Sequence, residues 1–216
     1  MKYDLDKIKD TLYSGIICDV LDQMGHSHQY LSADMNTLLP DTVVFGKVFT
    51  CIATEVYSMP EDPLTAQCHV IDQMSEGEVM VLTTRGNYTC AILGELMATA
   101  INMKGGKGAI LDGMARDLKI VREMNFPLVY RGHLPNTSKG RAEVNECQIP
   151  INIDGVTIHP GDYVYGDIDG TVFIPGDILE EVIDRAFETM SREDKVRERL
   201  CQGENLVDTY AKIGAI

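Results

Sequence analysis

The chain has 216 residues, 44% of them hydrophobic and 24% charged, which is ordinary globular usage and excludes a disordered or fibrous protein. A chain of this length buries about 70% of its unfolded surface, so its core needs no disulfide or metal staple. Nineteen Lys and Arg against thirty-three Asp and Glu leave a net charge of −14, a surface that repels phosphate backbones and makes nucleic acid an unexpected partner.

In chain order, Leu5, Ile8, Leu12, Ile16, Ile17, Val20, Leu21 and Met24 recur at helical spacing and predict N-terminal helices over 4–24. Ser14-Gly15 divides this stretch in two, with Ser14 capping the second helix and Gly25 ending it. The charged, alternating start Met1-Lys2-Tyr3-Asp4 is unlike a secretory leader. No apolar run approaches the roughly 18 residues of a membrane span. No membrane partner and a cytoplasmic location are therefore expected. A β-rich run covers 42–55, Asp62-Pro63 opens a helix near 64–74, and 78–84 reads as a buried strand. Helical periodicity resumes over 89–103 and stops at Lys104-Gly105-Gly106.

Residues 108–113 then predict a strand, 118–124 a short helix and 127–130 another strand, a β-α-β alternation that argues for crossover units over a central sheet. From 143 to 175 the pattern changes to short antiparallel strands, with turns at Asp154-Gly155, Pro160-Gly161-Asp162 and Asp169-Gly170. Residues 177–202 form one long amphipathic helix and 204–212 a last short one. The six cysteines, Cys18, Cys51, Cys68, Cys90, Cys147 and Cys201, contain no C-x-x-C pair, so neither a zinc ribbon nor a thioredoxin-type site is supported. The simplest account is a single mixed α/β domain over 1–216. Helices surround a central sheet, the C-terminal part is antiparallel, and a long helix closes the chain.

Chemistry concentrates in Gly94-Glu95-Leu96-Met97-Ala98 and in Gly113-Met114-Ala115-Arg116-Asp117. Gly94 permits a tight loop, and the N–H groups that follow open a helix able to hold an anion. Arg116-Asp117 sits just past a buried strand, where open α/β sheets place their ligands. Arginine there holds a carboxylate in bidentate fashion, and aspartate holds a hard cation. The competing structural reading is an ion pair that staples a βα corner. Spacing alone favours the staple.

These two segments, with the glycines at 105–108, Arg131-Gly132, Pro160-Gly161-Asp162 and the run Gly166-Asp167-Ile168-Asp169-Gly170-Thr171-Val172-Phe173-Ile174-Pro175, resemble the RraA-like proteins. The resemblance runs from about residue 14 to 210. It implies that family's swivelling β/β/α fold. The family includes metal-dependent 4-hydroxy-4-methyl-2-oxoglutarate aldolases, which also decarboxylate oxaloacetate, and a non-enzymatic regulator of an RNA-degrading endonuclease. By resemblance, Arg116 grips the pyruvyl part of a small 2-oxo acid, and Asp117 binds Mg²⁺ or Mn²⁺ directly. The backbone N–H groups of Gly94, Glu95, Leu96 and Met97 hold the substrate carboxylate. Glu95 stands at a position where the aldolases carry aspartate, and is assigned to metal-bound water. A glutamate from a neighbouring subunit's C-terminal helix serves the same water, with Glu193 the matching residue and Glu198 the alternative. A site shared in this way implies a trimer or hexamer with helices 177–212 at the interface.

The resemblance thus implies a lyase that breaks a C3–C4 bond of a short 4-hydroxy-2-oxo acid to release pyruvate. Arg116, Glu95 and Glu193 are its expected catalytic residues. The alternative is the regulator, with the site a relic. The acidic set Asp117, Glu95 and Glu193 favours the enzyme.

Overall fold

A computed structural model describes residues 4–213. The ends of the expected 1–216 unit, 1–3 and 214–216, lie outside the described residues. The chain opens with α1 (Leu5–Thr11) and α2 (Ser14–Gln23), followed by β1 (Asn36–Thr37), β2 (Val44–Glu55), α3 (Thr65–Asp72) and β3 (Glu78–Thr83). It continues through β4 (Ala91–Leu93), α4 (Glu95–Met103), β5 (Ala109–Ala115), α5 (Leu118–Glu123) and β6 (Leu128–His133). The last part holds β7 (Ala142–Cys147), β8 (Ile151–Ile153), β9 (Val156–Ile158), β10 (Tyr163–Gly166), β11 (Thr171–Ile174), α6 (Leu179–Cys201) and α7 (Leu206–Ile213).

A nine-stranded mixed sheet runs in the order β1-β6-β5-β3-β2-β10-β11, with β4 added beside β5 and β7 beside β2. Its centre is parallel: β2 pairs β3, β3 pairs β5, and β5 pairs both β4 and β6. The C-terminal strands β7, β10 and β11 pair antiparallel, as the short strands and close turns predict.

Both faces of the parallel centre are covered, so its strands are apolar over most of their length. Met80, Leu82, Leu111 and Tyr130 point to the core under α3, α4 and α5. Their neighbours Val79, Val81, Ile110 and Val129 point the other way, onto Ile151, Ile153, Val156 and Ile158 of the β8–β9 hairpin. Each such side chain contributes about 1.5–3 kcal/mol by leaving water. A third core joins α1, α2 and α6 to Phe45, Tyr165, Val172 and Ile174. The Asp154-Gly155 turn closes the β8–β9 hairpin with positive φ at both residues (54° and 87°), the geometry of a two-residue hairpin turn.

Two local expectations are corrected. Residues 89–103 are not one helix: 91–93 form β4, and α4 starts only at Glu95. A short apolar run reads equally as buried helix or buried strand, and pairing with β5 decides for the strand. Ser14 is not the cap of α2 but its first residue, after Tyr13. The helix start is capped from outside by Asp167, whose carboxylate accepts from Ser14 N (2.7 Å) and Ser14 Oγ (2.6 Å). Gly25 does end the helix, with φ 86° and with His26 N donating to Leu21 O (2.8 Å).

Candidate functional site

The site lies where β4 and β5 end side by side. Arg116 N donates to Leu93 O (2.9 Å), locking the two strand ends together. The chain leaves β4 through Gly94 into α4 and leaves β5 through Arg116 and Asp117 into α5. Asp117 adopts the left-handed conformation (φ 57°, ψ 27°) and makes no capping bond to its own helix, a backbone that aspartate tolerates better than most residues. Its carboxylate turns to the neighbouring helix instead, where Oδ2 accepts from Glu95 N (3.3 Å) and faces Arg116 Nε at 3.4 Å. A carboxylate beside the N-terminus of α4 is favoured by the helix dipole.

A side chain at Gly94 would displace the charged groups of the site. A Cβ at Gly94 would stand 2.6 Å from Asp117 Oδ2 and 3.0 Å from Arg116 Nε. The sequence motif therefore reports a close approach of two βα corners.

The Arg116–Asp117 pair makes a weak staple. Both side chains are 37% exposed, and pairs of this kind contribute about 0–1 kcal/mol. The strong ion pair nearby is another one. Asp112, buried in β5, accepts from Thr83 Oγ1 (2.7 Å), Tyr88 OH (2.9 Å) and Arg131 Nε (2.8 Å). Arg131 also bonds Asp154 and donates to Ser32 Oγ (2.9 Å), while Ser32 N donates to Asp154 Oδ2 (2.9 Å). Burial and the bond to Asp112 push the Tyr88 hydroxyl up. Burial works against the Asp154 carboxylate, but its bonds from Ser32 and Arg131 win and hold it below the usual range. Through Tyr88 this network ties down the loop entering β4.

Arg116, Asp117, Gly94, Leu96 and Met97 line one pocket of about 60 Å³. Five of the expected site residues thus come together. Glu95 contributes its amide to Asp117, while its carboxylate accepts from Thr99 Oγ1 (3.3 Å) one turn along α4. The Glu95 N–H is thereby spent, and the Leu96 and Met97 amides are the first-turn donors left without an intrahelical acceptor. Glu193 is elsewhere in its own chain: on α6, it accepts a hydrogen bond from Tyr13 OH and does not line the Arg116 pocket. Burial and this bond push the Tyr13 hydroxyl up to about 12, and burial, then the Glu193 charge, raises the Asp19 carboxyl.

The far wall of the pocket was not foreseen from sequence. Gln67 from α3, with Thr137 and Ser138 from the loop after β6, completes the lining. No motif marks them, and only the packing of α3 beside β4 and β7 brings them to the site.

Asp117 Oδ1 carries no bond from a protein donor among the described residues. The free atom is a hard, anionic oxygen, and the lining holds no His or Cys. Among the described residues no group of three His, Cys, Asp or Glu side chains forms a metal cage. A single carboxylate with room for water and substrate oxygens fits Mg²⁺ or Mn²⁺, which bind through one or two carboxylates.

A family model described as RraA-like (Aldolase/RraA) matches residues 15–173. A Halalkalibacterium halodurans protein, named provisionally as a 4-hydroxy-4-methyl-2-oxoglutarate aldolase, is 34% identical over 127 residues, which are 59% of this chain and 60% of that protein. The chain spans less than two thirds of the length of the first curated relatives it matches. The crystal structure of an uncharacterised protein from Pseudomonas syringae pv. tomato superposes with TM-score 0.85 at 30% identity, covering 96% of this chain and 92% of that one. Streptomyces coelicolor RraAS2, described as an unusual member of the RNase ES inhibitor RraA protein family, superposes with TM-score 0.79 at 28% identity, covering 91% of this chain and 98% of that one. Among the described residues no helix is long and apolar enough to cross a membrane.

Proposed function

The chain belongs to the RraA-like family, and on that premise we propose that it is a divalent-metal-dependent lyase releasing pyruvate from a short 4-hydroxy-2-oxo acid. The observation that carries this reading is Asp117: one oxygen is fixed by Glu95 N and Arg116, and the other is free at a pocket lined by an arginine and two helix-start amides.

Arg116 and the Leu96 and Met97 amides bind and orient the substrate carboxylate. Asp117 would hold Mg²⁺ or Mn²⁺, which supplies Lewis-acid stabilisation for the negative oxygen of a pyruvate enolate. The C3–C4 bond breaks, its electron pair passes into the enolate, and the 4-hydroxyl proton leaves to a carboxylate. Glu95 is one such base, reached through water, and Glu193 of a neighbouring subunit is the other. Within one chain Glu193 is tied to Tyr13, so its part in catalysis calls for a closed oligomer, a trimer or hexamer, with α6 and α7 at the interface. Oxaloacetate loses CO₂ by the same enolate and needs no base.

A second reading, a regulator that binds an RNA-degrading endonuclease, is supported by the likeness to RraAS2. The two separate on one measurement: pyruvate release from oxaloacetate and from 4-hydroxy-2-oxo acids, with Mg²⁺ and with excess chelator. The lyase reading expects activity that chelation abolishes and Mg²⁺ restores. Full activity in chelator would reject the metal, and no release from any substrate would leave the regulator.

A further inference from the structure

We propose that Gln67 and Ser138 read the far end of the substrate, and that the pocket selects 4-hydroxy-2-oxo acids with an uncharged, hydroxyl-bearing tail over those with a second carboxylate. This deepens the lyase reading and rests on it.

Gln67 and Ser138 are each 3% exposed and line the same pocket as Arg116. Gln67 Nε2 donates to Ile92 O (2.8 Å), which fixes the amide and leaves Oε1 as the free end. Among the described residues no protein donor bonds Gln67 Oε1, and Ser138 Oγ makes no bond. Neither atom is sealed away: among the described residues the side-chain atoms buried without a partner are Asn87 Nδ2, Asn136 Oδ1 and Thr209 Oγ1. Both residues line the Arg116 pocket, where a ligand can complete Gln67 Oε1 and Ser138 Oγ. The large majority of buried side-chain polar groups have a hydrogen-bond partner.

The chemistry of the two groups names the ligand. An amide oxygen only accepts, and a serine hydroxyl both donates and accepts. A substrate hydroxyl donates to Gln67 and accepts from Ser138. A carboxylate has no proton for Gln67 Oε1 and sets two acceptors face to face. Charge points the same way. Among the described lining residues Arg116 is the one cation, and it is engaged by the first carboxylate. An ion held at Asp117 would have its charge matched by Asp117 and by the first carboxylate, so no lining side chain is left to pair a second one. Lys139 lines an adjoining hollow that shares Leu64 and Gln67, but it is exposed and stands with Glu143 there. In the reaction the C3–C4 bond breaks, the 4-hydroxyl proton is accepted and returned to C3, and the products are pyruvate and a neutral hydroxyaldehyde.

The test uses two substrates that differ only in the tail: 4,5-dihydroxy-2-oxopentanoate, with CH₂OH, and 4-hydroxy-2-oxoglutarate, with a carboxylate. Pyruvate release by the full chain with Mg²⁺ is expected to give kcat/KM at least tenfold higher for the first. Ser138→Ala and Gln67→Met are each expected to bring that ratio towards one. Ser138→Ala removes one hydroxyl and no backbone contact, so it keeps the test open should Gln67→Met fold poorly. A ratio near one or reversed in the wild type overturns the proposal and leaves the lyase standing, as does release from oxaloacetate alone. A carboxylate preference erased by Lys139→Ala overturns it too, by giving the tail to Lys139. No release from either substrate or from oxaloacetate overturns both readings.

Discussion

Gly94 lies so close to Asp117 that a single methyl group at Gly94 would meet the carboxylate oxygen at 2.6 Å. Its φ of −137° is ordinary extended backbone, so alanine there brings collision without backbone strain. Gly94→Ala is expected to push Asp117 and Arg116 off their places while leaving the core intact. Pyruvate release should fall at least tenfold, equivalent to about 1.4 kcal/mol of transition-state stabilisation. The unfolding midpoint should move by only a few degrees. Wild-type turnover in Gly94→Ala would show that the placement of the carboxylate does not matter.

The buried pair and the exposed pair predict opposite phenotypes. Asp112 is 5% exposed and serves three donors; Asp112→Ala leaves Arg131 half-partnered and buried, which costs about 3–5 kcal/mol. Arg116→Ala breaks a pair that is 37% exposed on both sides and should cost less than about 1 kcal/mol of stability. Denaturant unfolding of the two variants, beside their pyruvate release, checks this. Arg116→Ala should be stable and inactive, and Asp112→Ala unstable.

The parallel centre was legible because residues 79–82 of β3 and 109–111 of β5 are short apolar runs bounded by turn residues, and the Gly94 and Arg116-Asp117 motifs fall at strand ends as expected. What escaped depends on distance along the chain. β4 exists only because β5 offers an edge to its three residues. Asp167 caps α2 from 153 positions away. Gln67 and Ser138 belong to elements with no local sign of a site, and meet Arg116 only in the folded pocket. The role of Arg131 was also hidden: its motif was visible, but its partners Asp112, Ser32 and Asp154 come from three separate segments.

Tyr13 gives a pH signature. Its hydroxyl is raised to about 12, first by burial and then by the bond to Glu193. The folded chain therefore holds this proton more tightly than the unfolded chain, where tyrosine titrates near about 10. The stabilisation is whole below about pH 10 and is lost as pH rises towards the folded value. Cys18 and Tyr165 are also raised, so the useful quantity is a difference. Urea midpoints measured at pH 9 and pH 11.5 should fall further for the wild type than for Tyr13→Phe, which has nothing to ionise. Parallel falls would dismiss the Tyr13–Glu193 bond as a stabilising contact.

Glu193 and Arg116 offer a test that a single-chain site fails. If each site takes Arg116 from one subunit and Glu193 from the next, Arg116→Ala and Glu193→Ala chains are inactive for different reasons. Each homo-oligomer lacks one of the two groups in every site. In randomly mixed rings, a site regains both groups when its Arg116 comes from a Glu193→Ala subunit and its Glu193 from an Arg116→Ala neighbour. Random assembly gives that arrangement in about one quarter of the sites of a closed head-to-tail ring. Co-expressed variants should therefore recover about a quarter of wild-type activity in the 4-hydroxy-2-oxo acid assay, from two parents that have almost none. Oxaloacetate is the internal control, since its decarboxylation needs no base and should survive in Glu193→Ala alone. If the mixture is as inactive as its parents while size-exclusion and light scattering prove mixed rings, Glu193 does not reach across the interface. The base would then be Glu95 in its own chain.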